Sequence, residues 1–125
     1  MALEYFHEPR EQLPASVVEQ HRAFASLIEE LEAANWYNER AAMSGDQELK
    51  SILEHNRNEE LEHASMLLEW LRRNFPEFAT QIQNYLFTSA PITQVEEGQK
   101  EGGAGQSATD SSAGSLNIGS MKKGE

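Results

Sequence analysis

The sequence feature that most constrains the fold is a stripe of residues spaced alternately by four and three, with ionisable groups at its centre. Its members are Leu49, Leu53, Asn56, Glu60, His63, Leu67 and Trp70. Steps of four and three keep side chains on one side of an α-helix. Burying a lone carboxylate costs several kcal/mol even after relaxation, so Glu60 needs a cation. Because His63 lies beside it, the pattern predicts that this cation is a metal.

A second helical stripe precedes the first and also carries a carboxylate. Its members are Ala23, Leu27, Glu30, Ala34, Tyr37 and Ala41. Ser16 and Glu19 have the spacing of a capping box, and we expect this helix to end at about Met43. The short turn Ser44-Gly45-Asp46 then leads to a helix from Gln47 to about Arg73, with Asp46 as its cap. So short a turn predicts antiparallel neighbours.

The turn places the two carboxylates at a similar height along the predicted hairpin. Glu30 lies fifteen residues before Gly45, and Glu60 lies fifteen residues after it. One chain therefore supplies two carboxylates and one imidazole. Di-iron carboxylate bundles use four helices, with one Glu from each of two helices and a Glu-x-x-His pair from each of the other two. Two copies of this chain provide that inventory, so we predict an all-α fold that is half of a ferritin-like four-helix bundle, completed by dimerisation.

The ligand set leaves three functions open. Imidazole and carboxylate suit iron, manganese or zinc, and chemistry with dioxygen requires redox-active iron. The first hypothesis is a ferroxidase that oxidises Fe²⁺ with O₂ at a di-iron site between two subunits. The second is a scaffold in which the same residues hold Zn²⁺ or Mn²⁺ structurally. The third is a metal-free helical interaction module.

Composition excludes several other classes of protein. The net charge of −11 argues against nucleic acid as a partner, and the absence of cysteine excludes disulfides and thiolate metal sites. No apolar run is long enough to span a membrane, and the N-terminus lacks the pattern of a signal peptide. We therefore expect a cytoplasmic protein that does not act on membranes.

The chain divides into four regions by composition. Residues 1–13 are predicted to be an irregular lead-in, and residues 14–97 form the helical domain, which includes a short third helix after Pro76. Residues 98–115 are rich in Gly and Ser and predict a flexible linker. Residues 116–125 bring back Leu116, Ile118 and Met121, followed by two lysines, which is typical of a peptide that docks on another protein. An ordinary ragged terminus is an equal alternative.

Other acidic residues form a second group of candidates. Glu29 and Glu32, with Trp36 one turn later, are spaced to gather cations at the mouth of a site, although a solvated helix face explains them equally well. His55, Glu59 and Glu62 are spaced to build a further metal site at a subunit contact, but an ordinary exposed face is the more frequent explanation. Asn56 lies on the core stripe and should find a hydrogen-bond partner across it. Two histidines, His7 and His21, have no assigned role.

Several separate blocks of the sequence resemble the encapsulated ferritins of bacteria. These blocks are residues 29–37 (EELEAANWY), 55–63 (HNRNEELEH), 68–73 (LEWLRR) and 85–88 (YLFT). The resemblance covers nearly all of residues 8–97. It is specific because the blocks agree at the right distances from one another.

This resemblance implies a ferroxidase built at a dimer interface, with Glu30, Glu60 and His63 as iron ligands and Tyr37 beside them. It implies that iron enters near Glu29, Glu32 and Trp36. His55, Glu59 and Glu62 match positions that bind a further metal between subunits, for which calcium is a candidate. It also implies a ring-shaped decamer, packaged inside an encapsulin shell through the tail. Met121 and the lysines that follow it depart from the commoner Leu and Arg there but keep their character.

Overall fold

The computed structural model describes residues 6–100, and two long helices dominate this part of the chain. A short 3-10 turn at Arg10–Gln12 precedes α1, which spans Ala15–Met43, and α2 spans Gln47–Asn74. A shorter helix, α3, follows at Pro76–Tyr85, and residues 92–100 are helical as well. All regular structure in the described residues is helical, so the predicted all-α class is confirmed. The helix at 92–100 includes the first residues of the segment that composition assigns to the linker.

The ends of the two long helices agree with the sequence at one cap and differ at the other. One carboxylate oxygen of Asp46 accepts hydrogen bonds from the backbone N–H groups of Glu48 (2.9 Å) and Leu49 (3.3 Å), as predicted. The capping box at Ser16 is wrong, because the N-cap of α1 is Pro14, which makes no side-chain cap bond. Proline has its φ fixed near the helical value, so the chain enters the helix before Ser16. Glu19 instead pairs with Arg22 at 2.7 Å.

The two long helices are antiparallel, and small residues line the seam between them. At one end the side-chain amide of Gln20 donates to the backbone carbonyl of Asn74 (3.0 Å), and Phe24 meets Phe75 edge to face. The buried residues of the described chain are Ala23, Ala34, Ala41, Ala64 and Leu71. Four of these five are alanines, so the helices approach closely and the seam alone buries little apolar surface.

The cross-helix hydrogen bond predicted for Asn56 is made by its neighbour. Arg57 donates from Nη1 to the side-chain oxygen of Asn38 on α1 at 2.9 Å, and from Nε to Asn58 at 3.1 Å. The prediction was off by one residue because the buried positions Ala64 and Leu71 place the seam slightly to one side of the stripe that contains Asn56.

The seam separates two faces of the hairpin, which we name by what they carry. The site face carries Glu30 and His63. The groove face carries an open groove of about 460 Å³, lined by Leu31, Ala34, Asn35, Asn38, Arg57, Asn58 and Leu61. Consecutive helical residues are rotated by about 100° about the helix axis. On α1, Glu30 and Leu31 therefore fall on opposite sides of the seam. On α2, Glu60 lies on the same side as His63, and Leu61 lies on the opposite side.

A second compact unit begins at Pro76. Within α3, the hydroxyl of Thr80 donates to the carbonyl of Pro76 (3.2 Å). After α3, Phe87 has a φ of 65°, a backbone conformation that is rare for a bulky residue, and the hydroxyl of Thr88 donates to the carbonyl of Tyr85 at 2.7 Å. This hydrogen bond helps to hold the turn that follows α3.

Two further predictions concern segments along the chain. None of the helices in residues 6–100 is long and apolar enough to cross a membrane. The docking tail at residues 116–125 and the linker beyond residue 100 lie outside the described residues.

Candidate metal centre

Three of the predicted ligands come together at mid-height of the hairpin. Glu30 projects from α1, and Glu60 and His63 lie one turn apart on α2. The Nδ1 atom of His63 is 3.4 Å from Oε1 of Glu30 and 3.4 Å from Oε1 of Glu60. One ligand atom from each residue lies within 4.8 Å of the others. The equal spacing of the two carboxylates from the turn at Gly45 therefore predicts their neighbourhood correctly.

The distances between these atoms suit a single cation of the size of Fe²⁺ or Zn²⁺. Metal–ligand distances of about 2.1 Å at tetrahedral to octahedral angles require ligand atoms roughly 3.0–3.4 Å apart. The two distances from Nδ1 match the upper end of this range. The side chains of Glu30 and Glu60 are 27% and 24% exposed, so a cation there would be in contact with solvent unless another surface covered the face. The arrangement fits a metal site that one chain leaves open.

The electrostatics of the cluster show an excess of negative charge. The largest factor that raises the pKa of Glu30 is its side-chain hydrogen bond with Glu60, in which the protonated carboxyl of Glu30 donates, and burial and charge repulsion add to it. The charge and the hydrogen bond of His63 lower the pKa of Glu30, but they offset only part of this rise. Burial lowers the pKa of His63, but the carboxylates of Glu30 and Glu60 outweigh this effect and raise it overall. Both shifts mean that the cluster retains protons, which is the behaviour expected of ligands that a cation would stabilise.

The group of three ligands does not include the other residues predicted on α1. Tyr37 shares the stripe of Glu30 and is half-buried, with the guanidinium of Arg40 5.4 Å from its ring centre. Glu29, Glu32 and Trp36 are exposed. Within residues 6–100, the Glu30, Glu60 and His63 group is the only set of three potential ligands this close together. In this part of the chain, Glu29 and Glu32 do not belong to a group of this kind.

Two of the further candidates on α2, His55 and Glu59, form a series of contacts that extends to His63. Nε2 of His55 lies 3.8 Å from one carboxylate oxygen of Glu59, and Nε2 of His63 lies 3.9 Å from the other. Glu62 is exposed and takes no part in these pairs. The predicted group of His55, Glu59 and Glu62 leaves out the proximity of Glu59 to His63. The four-residue spacing between Glu59 and His63 was the signal for it.

One of the unassigned histidines has a defined environment. The ring of His21 stacks on Phe6 with 3.9 Å between ring centres, and its Nε2 atom is buried without a hydrogen-bond partner. The guanidinium of Arg10 also lies over the ring of Phe6, 5.6 Å from its centre. His21 therefore anchors the segment that precedes α1.

Comparison with known proteins identifies the family to which this arrangement belongs. A sequence model described as EncFtn-like matches residues 5–89. The chain belongs to the EncFtn-like family. The "Encapsulated ferritin-like protein" of Rhodospirillum rubrum is 51% identical over 121 residues, which cover 93% of this chain and 86% of that protein. The "Ferritin-like protein" of Thermotoga maritima is 47% identical over 105 residues, covering 84% of this chain and 91% of the relative.

A solved structure supports the EncFtn-like fold. The crystal structure of protein ne0167 from Nitrosomonas europaea has a TM-score of 0.69 and 50% sequence identity, and the match covers 71% of this chain and 98% of that one. The resemblance to encapsulated ferritins that residues 29–37 and 55–63 indicate is therefore confirmed.

Proposed function

We propose that this protein is a ferroxidase that oxidises Fe²⁺ with O₂ at a di-iron site formed by two subunits. The observation that carries the proposal is the convergence of Glu30, Glu60 and His63, with Nδ1 of His63 at 3.4 Å from both carboxylates on a face that a second chain can cover. The names of the relatives, which include an encapsulated ferritin-like protein, support the same function.

Charge balance explains why two copies would suit two ferrous ions. Two chains bring four carboxylates, with a total charge of −4, and two Fe²⁺ ions bring +4. The pair of ions is therefore neutralised in a poorly solvated interface. Oxidation to two Fe³⁺ would leave a net charge of +2, which favours the uptake of oxide or hydroxide and then release of the product. Iron is the substrate, and the protein supplies the ligands that hold it while its electrons pass to O₂.

The remaining predicted residues are assigned supporting roles in this proposal. Tyr37, on the stripe of Glu30, would act beside the iron ligands. Glu29 and Glu32, which are exposed, would attract Fe²⁺ on its way to the site beside Trp36. His55, Glu59 and Glu62 would contribute to a further metal site between subunits, with Ca²⁺ as the candidate ion.

The exposed apolar residues support an assembly larger than a dimer. On the site face, Trp70 belongs to the stripe of His63, and Ile52 and Met66 lie about three turns before and one turn after His63. Ile52, Met66 and Trp70 are 51%, 58% and 37% exposed. On the groove face, Leu31 and Leu61 are 48% and 45% exposed. A hairpin with apolar residues on two faces needs a cover on both. A homodimer through the site face and a ring, for which we propose a decamer, would provide these covers.

The partner of the assembled protein would be an encapsulin shell, and residues 116–125 would dock on it. Leu116, Ile118 and Met121 would act as spaced apolar anchors, and the two lysines after them would meet an acidic rim. In this arrangement, oxidised iron is stored in the shell within the cytoplasm. Half of a bundle does not enclose a store of its own.

Stopped-flow absorbance tests the ferroxidase. The protein is loaded anaerobically with Fe²⁺ and mixed with O₂, and the initial rate of Fe³⁺ formation is compared with that of Glu60→Ala/His63→Ala. We expect the double variant to fall to the rate of Fe²⁺ in protein-free buffer. Glu39→Ala, which removes an exposed carboxylate from α1, is the control and should keep the full rate. Equal rates for the unmodified protein and the double variant would contradict the proposal.

A non-redox scaffold is the second candidate, because the same three ligands also suit Zn²⁺ or Mn²⁺. Elemental analysis of the purified protein and O₂ consumption with added Fe²⁺ distinguish the two functions. Tightly held Zn²⁺ or Mn²⁺ without O₂ consumption would favour the scaffold. An oligomer unchanged by exhaustive chelation and without metal-dependent activity would favour the metal-free module.

Delivery to the shell is tested separately from activity. Leu116→Asp/Ile118→Asp should abolish co-purification with a co-expressed encapsulin shell protein, while the ferroxidase rate in solution stays unchanged. Asn117→Ser, a polar exchange between the two apolar anchors, is the matched control. Undiminished packaging of the double variant would refute docking through this peptide.

A further inference from the structure

Both ring nitrogens of His63 face carboxylates, on opposite edges of the ring. Nδ1 points to the cluster, 3.4 Å from Oε1 of Glu30 and from Oε1 of Glu60. Nε2 points away from the cluster, 3.9 Å from Oε1 of Glu59, which lies one turn earlier on α2. Glu59 and Glu60 are neighbours in sequence, yet they approach different nitrogens of the same imidazole.

A histidine that binds a metal must be neutral, with a lone pair on one nitrogen and a hydrogen on the other. The group that accepts this hydrogen fixes which nitrogen is free for the metal. Because Nδ1 is the atom that adjoins Glu30 and Glu60, the hydrogen must reside on Nε2 when the three residues bind one cation. Glu59 is the carboxylate placed to accept it.

We propose that Glu59 is a positioning residue, which holds the Nε2–H tautomer of His63 and thereby presents Nδ1 to the metal. The proposal rests on the metal site described under the proposed function. It gives Glu59 a role inside its own chain, in addition to any ligand role between subunits.

The 3.9 Å between Nε2 of His63 and Oε1 of Glu59 is longer than a direct hydrogen bond. Because Glu59 is exposed, its side chain has room to move closer. The side chain of Glu59 is 47% exposed, so it can rotate towards Nε2 or reach it through one bridging water. Its other oxygen, Oε2, lies 3.8 Å from Nε2 of His55, one turn earlier again. The carboxylate therefore lies between the two imidazoles, with Oε1 on the side of His63.

Metal binding and the state of the ring test the proposal in the full-length protein. Co²⁺ is titrated and followed by visible absorption to obtain a Kd. Zn²⁺ is then added to protein labelled with ¹⁵N-histidine, and long-range ¹H–¹⁵N spectra identify the nitrogen that binds the metal. The variants are Glu59→Ala, which removes the acceptor, and Glu59→Gln, which removes the charge but keeps an acceptor oxygen. Glu39→Ala controls for the loss of one carboxylate elsewhere, and circular dichroism checks folding.

We expect Glu59→Ala to raise the Kd for Co²⁺ by about tenfold or more and to give a mixture of His63 tautomers. Glu59→Gln should lose less affinity and keep Zn²⁺ on Nδ1, and Glu39→Ala should match the unmodified protein. Equal losses in Glu59→Ala and Glu59→Gln with an unchanged tautomer would overturn the proposal, as would Zn²⁺ on Nε2 of the unmodified protein. Failure of the unmodified protein to bind Co²⁺ would overturn the metal site itself, and with it the role of Glu59.

Discussion

The site face and the groove face of the hairpin both carry half-exposed apolar side chains, but they differ in the polar groups among them. The site face contains two carboxylates and an imidazole. Glu60 raises the pKa of Glu30, and both carboxylates raise the pKa of His63. The groove face contains side-chain amides and one guanidinium, and Arg57 already has partners in Asn38 and Asn58. The groove face can therefore be covered by packing alone, whereas the site face also needs its negative charge to be neutralised.

This difference predicts that the two faces respond differently to metal. Covering Glu30 and Glu60 with a second chain brings four carboxylates together, which is unfavourable without cations. Covering Leu31 and Leu61 brings together mostly apolar and neutral groups. Association through the site face should therefore depend on metal, and association through the groove face should not.

The largest expected effect is the loss of metal-dependent assembly in His63→Ala. Removing the imidazole leaves the carboxylates at the interface with one ligand fewer to hold the cations that neutralise them. Multi-angle light scattering with and without Fe²⁺ under anaerobic conditions measures the change in mass. We expect the unmodified protein to gain mass with Fe²⁺ and His63→Ala to gain little.

The control for this variant is Glu39→Ala, which removes an exposed side chain from α1 and leaves the three clustered ligands in place. It should retain most of the gain in mass. If His63→Ala assembled identically with and without Fe²⁺, and to the same mass as the unmodified protein, the proposed coupling between metal and assembly would be wrong.

The next effect concerns the groove face, where Leu61→Asp should weaken association without removing the metal site. A carboxylate in place of a partly exposed leucine must be desolvated at an apolar contact. We expect the Kd for assembly to rise at least tenfold, which corresponds to a loss of about 1.4 kcal/mol or more in the free energy of association. Sedimentation velocity with saturating metal should show dimers in place of larger assemblies.

The conservative variant Leu61→Met keeps an apolar side chain of similar volume and should assemble normally. A ring of unchanged size in Leu61→Asp would show that the groove face is not an interface. Dissociation of Leu61→Asp to monomers at saturating metal would show that the two faces are not independent.

A smaller effect is expected from the hydrogen bond that crosses the seam on the groove face. Asn38→Ala removes the acceptor for Arg57 at 2.9 Å, and we expect a loss of about 0.5–1.5 kcal/mol in the free energy of unfolding. Urea denaturation in the presence of a chelator measures it. Asn35→Ala, in the same groove, should change stability by less than about 0.5 kcal/mol. Equal losses in the two variants would indicate that the bond contributes nothing specific.

Much of the fold follows from the sequence because the signals are local and repeated. The stripes of Glu30 and His63 each extend over several turns, so an error at one position does not alter the helix, and the short turn at Gly45 fixes the pairing. The helix starts were less secure. Asp46 was identified correctly as a cap, but Ser16 was not one, because Pro14 already provides the entry into α1.

The residues of the candidate site were predictable from the sequence, but the contacts between the helices were less so. Counting from Gly45 places Glu30 opposite Glu60, but it does not give the rotation of each helix about its axis. A small rotation of the seam exchanged Asn56 for Arg57 as the residue that bonds across it. These features depend on packing between helices, which a single-helix period does not specify.

The smallest effect is expected at Glu69. Unlike Glu30, this carboxylate pairs with positively charged side chains of its own chain. Hydrogen bonds from Arg72 and Arg73 lower the pKa of Glu69 to about 2. A lowered pKa stabilises the fold above the unfolded value of 4.5, and this contribution is lost as the pH falls from there through about 2.

Because Glu69 is 41% exposed, we expect Glu69→Gln to cost less than about 1 kcal/mol at pH 7. Urea denaturation between pH 7 and pH 2 should show the difference from the unmodified protein shrinking towards zero at the acid end, and 1 M NaCl should reduce it at pH 7. A difference that stayed constant over this pH range would mean that Glu69 contributes through packing rather than through its charge.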